Sequence, residues 1–175
     1  MSTVEKNQAT IKPKTPQIQE LINSTKTLIL ATLDADNRPT ASYAPYVYWG
    51  KSFYILVSFM AKHTRNLRDR KKVSLMLIED ESATRQIYAR DRITIDSEAE
   101  LVATNTTEYT EVLTALQQRH GKIVEVLSNL EDFVLFRLKP QQGNYVNGFG
   151  SAYFVDADLQ VIEHRKGAHG AQNNN

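Results

Sequence analysis

Residues 27–59 read TLILATLDADNRPTASYAPYVYWGKSFYILVSF, and the fold turns on how this stretch is parsed. Thr27–Leu33 is an aliphatic and β-branched run with strand chemistry. Asp34–Pro39 is a turn-rich break, and Gly50-Lys51 is a second, tighter one. Between them Thr40–Trp49 resumes strand character, with Tyr43, Tyr46, Tyr48 and Trp49 interspersed, and Ser52–Phe59 follows as a third strand. Strands joined by connections this short can only fold back antiparallel, as successive hairpins.

Working outward, the N-terminal side holds one short helix. Residues 1–14 are polar and read as a flexible arm. Thr15 is placed to cap a helix with Pro16 at its first position, and Ile18, Leu21 and Ile22 share one face as far as about Thr25. On the C-terminal side, His63–Lys72 reads as a short polar helix and Val73–Ile78 as a strand apolar on both faces. Glu79–Thr84 is an acidic loop. Arg92–Val102 alternates, with Ile93 and Ile95 on one face and Arg92, Thr94 and Asp96 on the other. Asn105 with Glu108 resembles a capping box for a helix that carries Val112, Leu113 and Leu116 and stops at Gly121. A second short helix covers Lys122 to about Leu127. Asp132–Leu138 is an apolar strand, and Gly148–Ala152 leads tightly into Tyr153–Val155. The polar segment 163–175 reads as an unstructured tail. Many strands, short turns and few helices point to one mainly β domain over residues 15–162: an antiparallel, closed or partly closed barrel with flanking helices.

Composition narrows the chemistry. The chain has 175 residues, 41% of them hydrophobic, and no cysteine. That length suffices for a core without staples, and the missing thiols exclude disulfides, thiolate zinc sites and cysteine nucleophiles. A net charge of +1 gives no case for nucleic acid. No secretory leader or run long enough to span a bilayer as a helix is evident, so a cytoplasmic location is expected. Walker, dinucleotide-glycine, His-Glu-x-x-His, EF-hand and nucleophile-elbow patterns are absent.

Three features carry possible chemistry. Lys62, His63, Arg65, Arg68, Arg70, Lys71 and Lys72 form a basic cluster. It reads as a solvated helix face or, alternatively, as a cradle for phosphate or carboxylate. His164 and His169 lie near the C-terminus, where a histidine is commonly idle unless the segment folds over a ligand. Arg92 and Asp132 each stand at the start of an apolar strand, either as strand-end charges or as ligand-facing groups.

Taken together, three stretches give the chain a resemblance. They are Ala61-Lys-His-Thr-Arg-Asn-Leu67 with the following Val-Ser-Leu-Met-Leu77; Arg90-Asp-Arg-Ile-Thr94; and Gly148-Phe-Gly-Ser-Ala-Tyr153 with its histidine-bearing tail. From about Pro16 to His169 the sequence resembles the haem-utilisation proteins of the HugZ/HutZ type, within the pyridoxamine-phosphate-oxidase-like, FMN-binding split-barrel superfamily. The resemblance implies a homodimer with haem at its interface, oxidative opening of the porphyrin with release of iron, and an external electron donor. It makes His169 the axial iron ligand, with His164 as fallback. It assigns Asp132 to the imidazole of that ligand across the dimer, and Arg92 to the opposite haem face. A carboxylate on the second imidazole nitrogen fixes the tautomer and strengthens the ligand. His63 falls in a shared motif and reads as a histidine satisfied near the basic cluster, while Arg65 and Arg68 could meet haem propionates. The segment Arg68-Asp-Arg-Lys-Lys72 departs from the Asn-Pro-Arg pattern of the flavin branch. The alternatives are haem storage or delivery without turnover, and an FMN-dependent oxidase or reductase.

Overall fold

The computed structural model describes residues 14–165. Helix α1 (Lys14–Ser24) opens the domain. The strands β1 (Thr27–Leu33), β2 (Pro39–Pro45), β3 (Val47–Trp49) and β4 (Ser52–Ser58) follow, then helix α2 (Lys62–Arg70) and β5 (Lys72–Ile78). A loop with one turn of 3-10 helix (Ile87–Ala89) leads to β6 (Arg92–Leu101), α3 (Thr107–His120), α4 (Ile123–Ser128), β7 (Phe133–Val146), β8 (Ala152–Val155) and β9 (Val161–His164). All pairings are antiparallel, in the order β2-β1-β5-β6-β7-β4-β3, with β8 added to β7 and β9 to β8. The split-barrel expectation is met. Among the described residues, no helix is long and apolar enough to cross a membrane.

Strand β7 organises the sheet. One of its edges runs along β6. The other pairs first with β4, through Phe133–Leu138, and then with β8, through Gly143–Val146. Sequence reading ends this strand at Leu138, yet it runs on to Val146 through Pro140 and Gly143, which are ordinarily strand breakers. The register explains why they do not break it. Pro140 sits beside the β-bulge at Asp96/Ser97, where a missing amide hydrogen is tolerated. At Gly143 a Cβ atom would lie 2.8 Å from the carbonyl oxygen of Thr94, so only glycine lets β6 approach this closely.

Three other boundaries differ from expectation. Thr40–Trp49 is two strands, because Pro45 has no amide hydrogen and the chain turns a corner at Tyr46. The Tyr46 ring is fully buried and its hydroxyl donates to the Ile22 carbonyl at 2.7 Å, pinning the end of α1. Thr106 rather than Asn105 caps α3, accepting from the Tyr109 amide at 3.2 Å, and Glu108 instead accepts a hydrogen bond from Tyr54. Finally, Glu163 and His164 belong to a strand, not to an unstructured tail. Strand β9 is secured at its start, where the Val161 amide donates to Thr15 Oγ1 at 3.2 Å. Thr15 therefore ties α1 to β9 and does not cap the helix, which begins at Lys14.

The main core fills the barrel with Leu28, Leu30, Phe53, Ile55, Leu75, Leu77, Ile93, Ile95, Phe136 and Tyr145, closed at one mouth by α1. A smaller cluster joins Val112, Leu116 and Val124 of α3 and α4 to Tyr54 and Leu135.

Candidate functional site

Alternation along the strands leaves one face of the sheet looking outward, and the register fixes its rows. Tyr43, Ile29, Met76, Thr94 and Asn144 stand side by side across five strands. The next row in one direction is Ala41, Ala31, Ser74, Asp96 and Gln142, and in the other it is Ile78, Arg92 and Val146. Ile29, Met76, Ile78 and Val146 are half-buried and make an apolar wall, while Tyr43 is 68% exposed. Arg92 stands at the margin of this wall. Its Nη1 donates to the Arg90 carbonyl at 3.2 Å, and it forms no salt bridge among the described residues.

Asp132 is elsewhere. It precedes β7, at the corner where β4 turns into α2. Ser58 Oγ donates to its Oδ2 at 2.5 Å, its carbonyl accepts from the Phe59 amide at 2.8 Å, and Oδ1 has no hydrogen-bond partner among the described residues. Arg92 is paired with Val146, the last residue of β7. The whole strand, roughly 45 Å of extended chain, lies between these two side chains. Within one protomer the fold does not bring Arg92 and Asp132 together.

The histidines separate as well. His169 lies outside the described residues. His164 sits in β9, with its ring 5.0 Å from that of Tyr153 and Nε2 2.9 Å from the Gly150 carbonyl oxygen. A carbonyl only accepts, so Nε2 carries the proton there and the free lone pair is on Nδ1. His63 corrects its expectation. Its Nε2 is buried with no partner among the described residues, and burial holds its pKa below the ordinary histidine value. It is not a satisfied histidine.

The basic cluster disperses over α2. Lys62 pairs with Asp34 at 2.9 Å and Arg68 with Asp69 at 2.8 Å. Arg65 Nη1 lies 3.4 Å from the carbonyl oxygens of Phe59 and Met60, and Arg70 donates to that of Ala35 at 2.6 Å. These side chains already have partners and do not converge on one point, so the solvated-face reading describes them.

Sequence reading missed a second region beside the wall. A cleft of about 780 Å³ lies between α1, the start of β1, the end of β5 and the 79–91 loop, with Glu20, Lys26, Glu79, Asp80, Asp91 and Asn147 among its polar lining. Arg90 holds the loop, donating to the Glu79 carbonyl and to the Glu81 carboxylate at 3.1 Å. The only hint in the sequence is the charged triplet Arg90-Asp91-Arg92 immediately before an alternating strand.

A flat, largely apolar ligand needs a wall and a few convergent polar groups. The outward rows provide the wall and Arg92 a polar group at its margin.

A curled antiparallel half-barrel with helices over its mouth and flank defines the split-barrel class. The profile of the family described as Pyridoxamine 5'-phosphate oxidase matches residues 15–147, and the chain belongs to this family. It is 45% identical over 143 residues to "Heme oxygenase HutZ" of Vibrio cholerae serotype O1, covering 82% of this chain and 81% of that protein. A crystal structure of HutZ from Vibrio cholerae, there described as a heme storage protein, superposes with a TM-score of 0.73 at 41% identity, covering 76% of this chain and 94% of that one. ChuZ of Campylobacter jejuni shares the fold, with a TM-score of 0.81 at 23% identity over 92% of this chain and 67% of that one. The resemblance drawn from the three sequence motifs is borne out.

Proposed function

We propose that this protein binds haem and opens the porphyrin oxidatively, releasing iron for use in the cytoplasm. The observation that carries the reading is Arg92, a guanidinium without an acidic partner among the described residues, at the edge of an outward apolar wall in a chain 45% identical to HutZ. Bound haem would supply both the iron at which dioxygen is reduced and the ring that is opened, with electrons from an external donor. The wall of Ile29, Met76, Ile78 and Val146 would exclude water from the ring. Arg92 would donate hydrogen bonds on one face of the haem, where a charge-assisted bond contributes about 1.5–3 kcal/mol. His169 would be the axial ligand on the other face.

The working unit in this reading is a homodimer. Arg92 and Asp132 occupy opposite ends of β7, so one site can use both only if two copies contribute. Asp132 would then accept the Nδ1 hydrogen of the ligand imidazole through Oδ1 while Ser58 holds Oδ2.

A hemin titration followed by absorption spectroscopy, in wild type and His169→Ala side by side, tests this. A saturable histidine-type spectrum that the substitution destroys is expected, and so is loss of the haem bands with appearance of free iron when reductant and oxygen are added. Absence of saturable binding in wild type would overturn the haem reading. Tight binding with an intact ring after hours under reductant would favour storage, the role attached to HutZ in its crystal structure.

A further inference from the structure

Three buried oxygen atoms at the Arg92 end of β7 have no hydrogen-bond partner among the described residues: Tyr145 OH, Asp91 Oδ1 and Asn147 Oδ1. Tyr145 is fully buried, because it alternates with the outward residues Asn144 and Val146 and points into the barrel. Asn147 donates its Nδ2 to Gln17 Oε1 at 2.7 Å, which turns its oxygen away from α1. Asp91 and Asn147 line one cleft, and Tyr145 and Asn147 flank Val146, the ladder partner of Arg92, whose chain neighbour is Asp91. The Tyr145 hydroxyl acts on the Asp91 carboxyl, and both Asp91 and Asn147 act on Tyr145. Burial raises the Asp91 pKa; the Tyr145 hydroxyl lowers it, Glu79 and Glu20 raise it, and Lys14 lowers it. Burial also pushes the Tyr145 phenol far up, so it stays a neutral donor.

The single phenolic hydrogen of Tyr145 can pair with at most one of the two acceptor oxygens, Asp91 Oδ1 or Asn147 Oδ1. A carboxylic hydrogen on Asp91 together with a bridging water would satisfy the other, since a buried water commonly makes 2–4 hydrogen bonds. Asp91 and Asn147 also line the cleft, whose wall includes Ile29, Met76 and Ile78. Ile78 is the ladder partner of Arg92, and Asp91 is its chain neighbour. The cleft thus connects the buried acid to the apolar wall.

We infer that Asp91, in the cleft beside Tyr145 and Asn147, is a proton-supplying residue for the face marked by Arg92. This deepens the haem-opening reading and rests on it. Reducing dioxygen with electrons from an external donor consumes protons. The Asp91 carboxyl gives up its proton to water in the cleft, that water passes one to the oxygen being reduced, and Asp91 is reprotonated from solvent, leaving no net change in the protein. The groups that set the equilibrium are Tyr145 on β7, Glu20 and Lys14 on α1, and Glu79 in the loop. Asp80, Lys26 and Arg90 also line the cleft.

The test combines infrared titration of the ligand-free protein with the pH–rate profile of haem opening, in wild type, Asp91→Asn, Tyr145→Phe and Glu20→Gln. Wild type should show a protonated-carboxyl band, absent in Asp91→Asn, that titrates above the ordinary aspartate range. Tyr145→Phe removes a group that lowers the Asp91 pKa, so its midpoint should move up. Glu20→Gln removes one that raises it, so its midpoint should move down. The acid limb of the rate profile should move with each midpoint, and Asp91→Asn should bind hemin as wild type does yet open it about 10²-fold more slowly. A residue that merely props the fold would not produce opposite shifts in these two variants. If Asp91→Asn follows the wild-type profile, or the band does not depend on Asp91, the inference is wrong while haem opening stands. If wild type binds hemin and never opens it, the proton-supply role falls with the oxygenase reading.

Discussion

The two ends of β7 are built differently. At its start, most polar groups are closed, His63 Nε2 and Asp132 Oδ1 excepted: Ser58 accepts from the Met60 amide and donates to Asp132, Thr64 Oγ1 donates to the Ser58 carbonyl at 2.6 Å, and the Phe59 amide closes on Asp132. At its finish, three buried oxygens and a guanidinium have no such closure. Saturated hydrogen bonding fixes a corner, and unsatisfied polar groups beside a cleft are what a ligand-handling region leaves for its visitors. The start of β7 reads as scaffold that happens to present one carboxylate oxygen, the finish as the chemically unfinished part.

Substitutions can break or sharpen this contrast. The largest effect is expected where the two ends join. Gly143→Ala places a Cβ against the Thr94 carbonyl and should destabilise the fold by about 2 kcal/mol, read as a lower urea midpoint; an unchanged midpoint would mean that β6 and β7 separate freely at this point. Next comes Ser58→Ala, which strips Asp132 of its donor and the Met60 amide of its acceptor. A loss of about 1 kcal/mol is expected, and if thermal melting is unaltered the start of β7 is not the scaffold described here. The smallest effect on stability belongs to Arg92→Ala, within about 0.5 kcal/mol of wild type, together with slower haem opening. A large stability loss there would erase the contrast and make Arg92 a structural residue.

Much of this architecture is legible in the sequence because it is local. The hairpins of residues 27–59 announce themselves through turn residues, and Arg92–Leu101 through alternation. What is not legible depends on register. Pro140 and Gly143 look like a strand end until their partners on β6 are known, and β9 is held by Thr15 at the far end of the chain. The same applies to function. Arg92 and Asp132 can be singled out as charges at strand starts, yet only the pairing of Arg92 with Val146 places them at opposite ends of one strand. Asp91 shows in the sequence only as part of a charged triplet, and its association with Tyr145 and Asn147 is not legible there, since it is tertiary.

The bond between Thr15 and Val161 spans 146 positions. During synthesis α1 leaves the ribosome early, with its apolar face of Ile18, Leu21 and Ile22 ready, while the strand that fastens its start emerges only after almost every other element. Long-range closure of this kind slows folding. Tyr46 can pin the end of α1 as soon as β2 has formed, whereas its start is fastened only when β9 arrives, so the last strand closes the fold on a helix already seated at its other end.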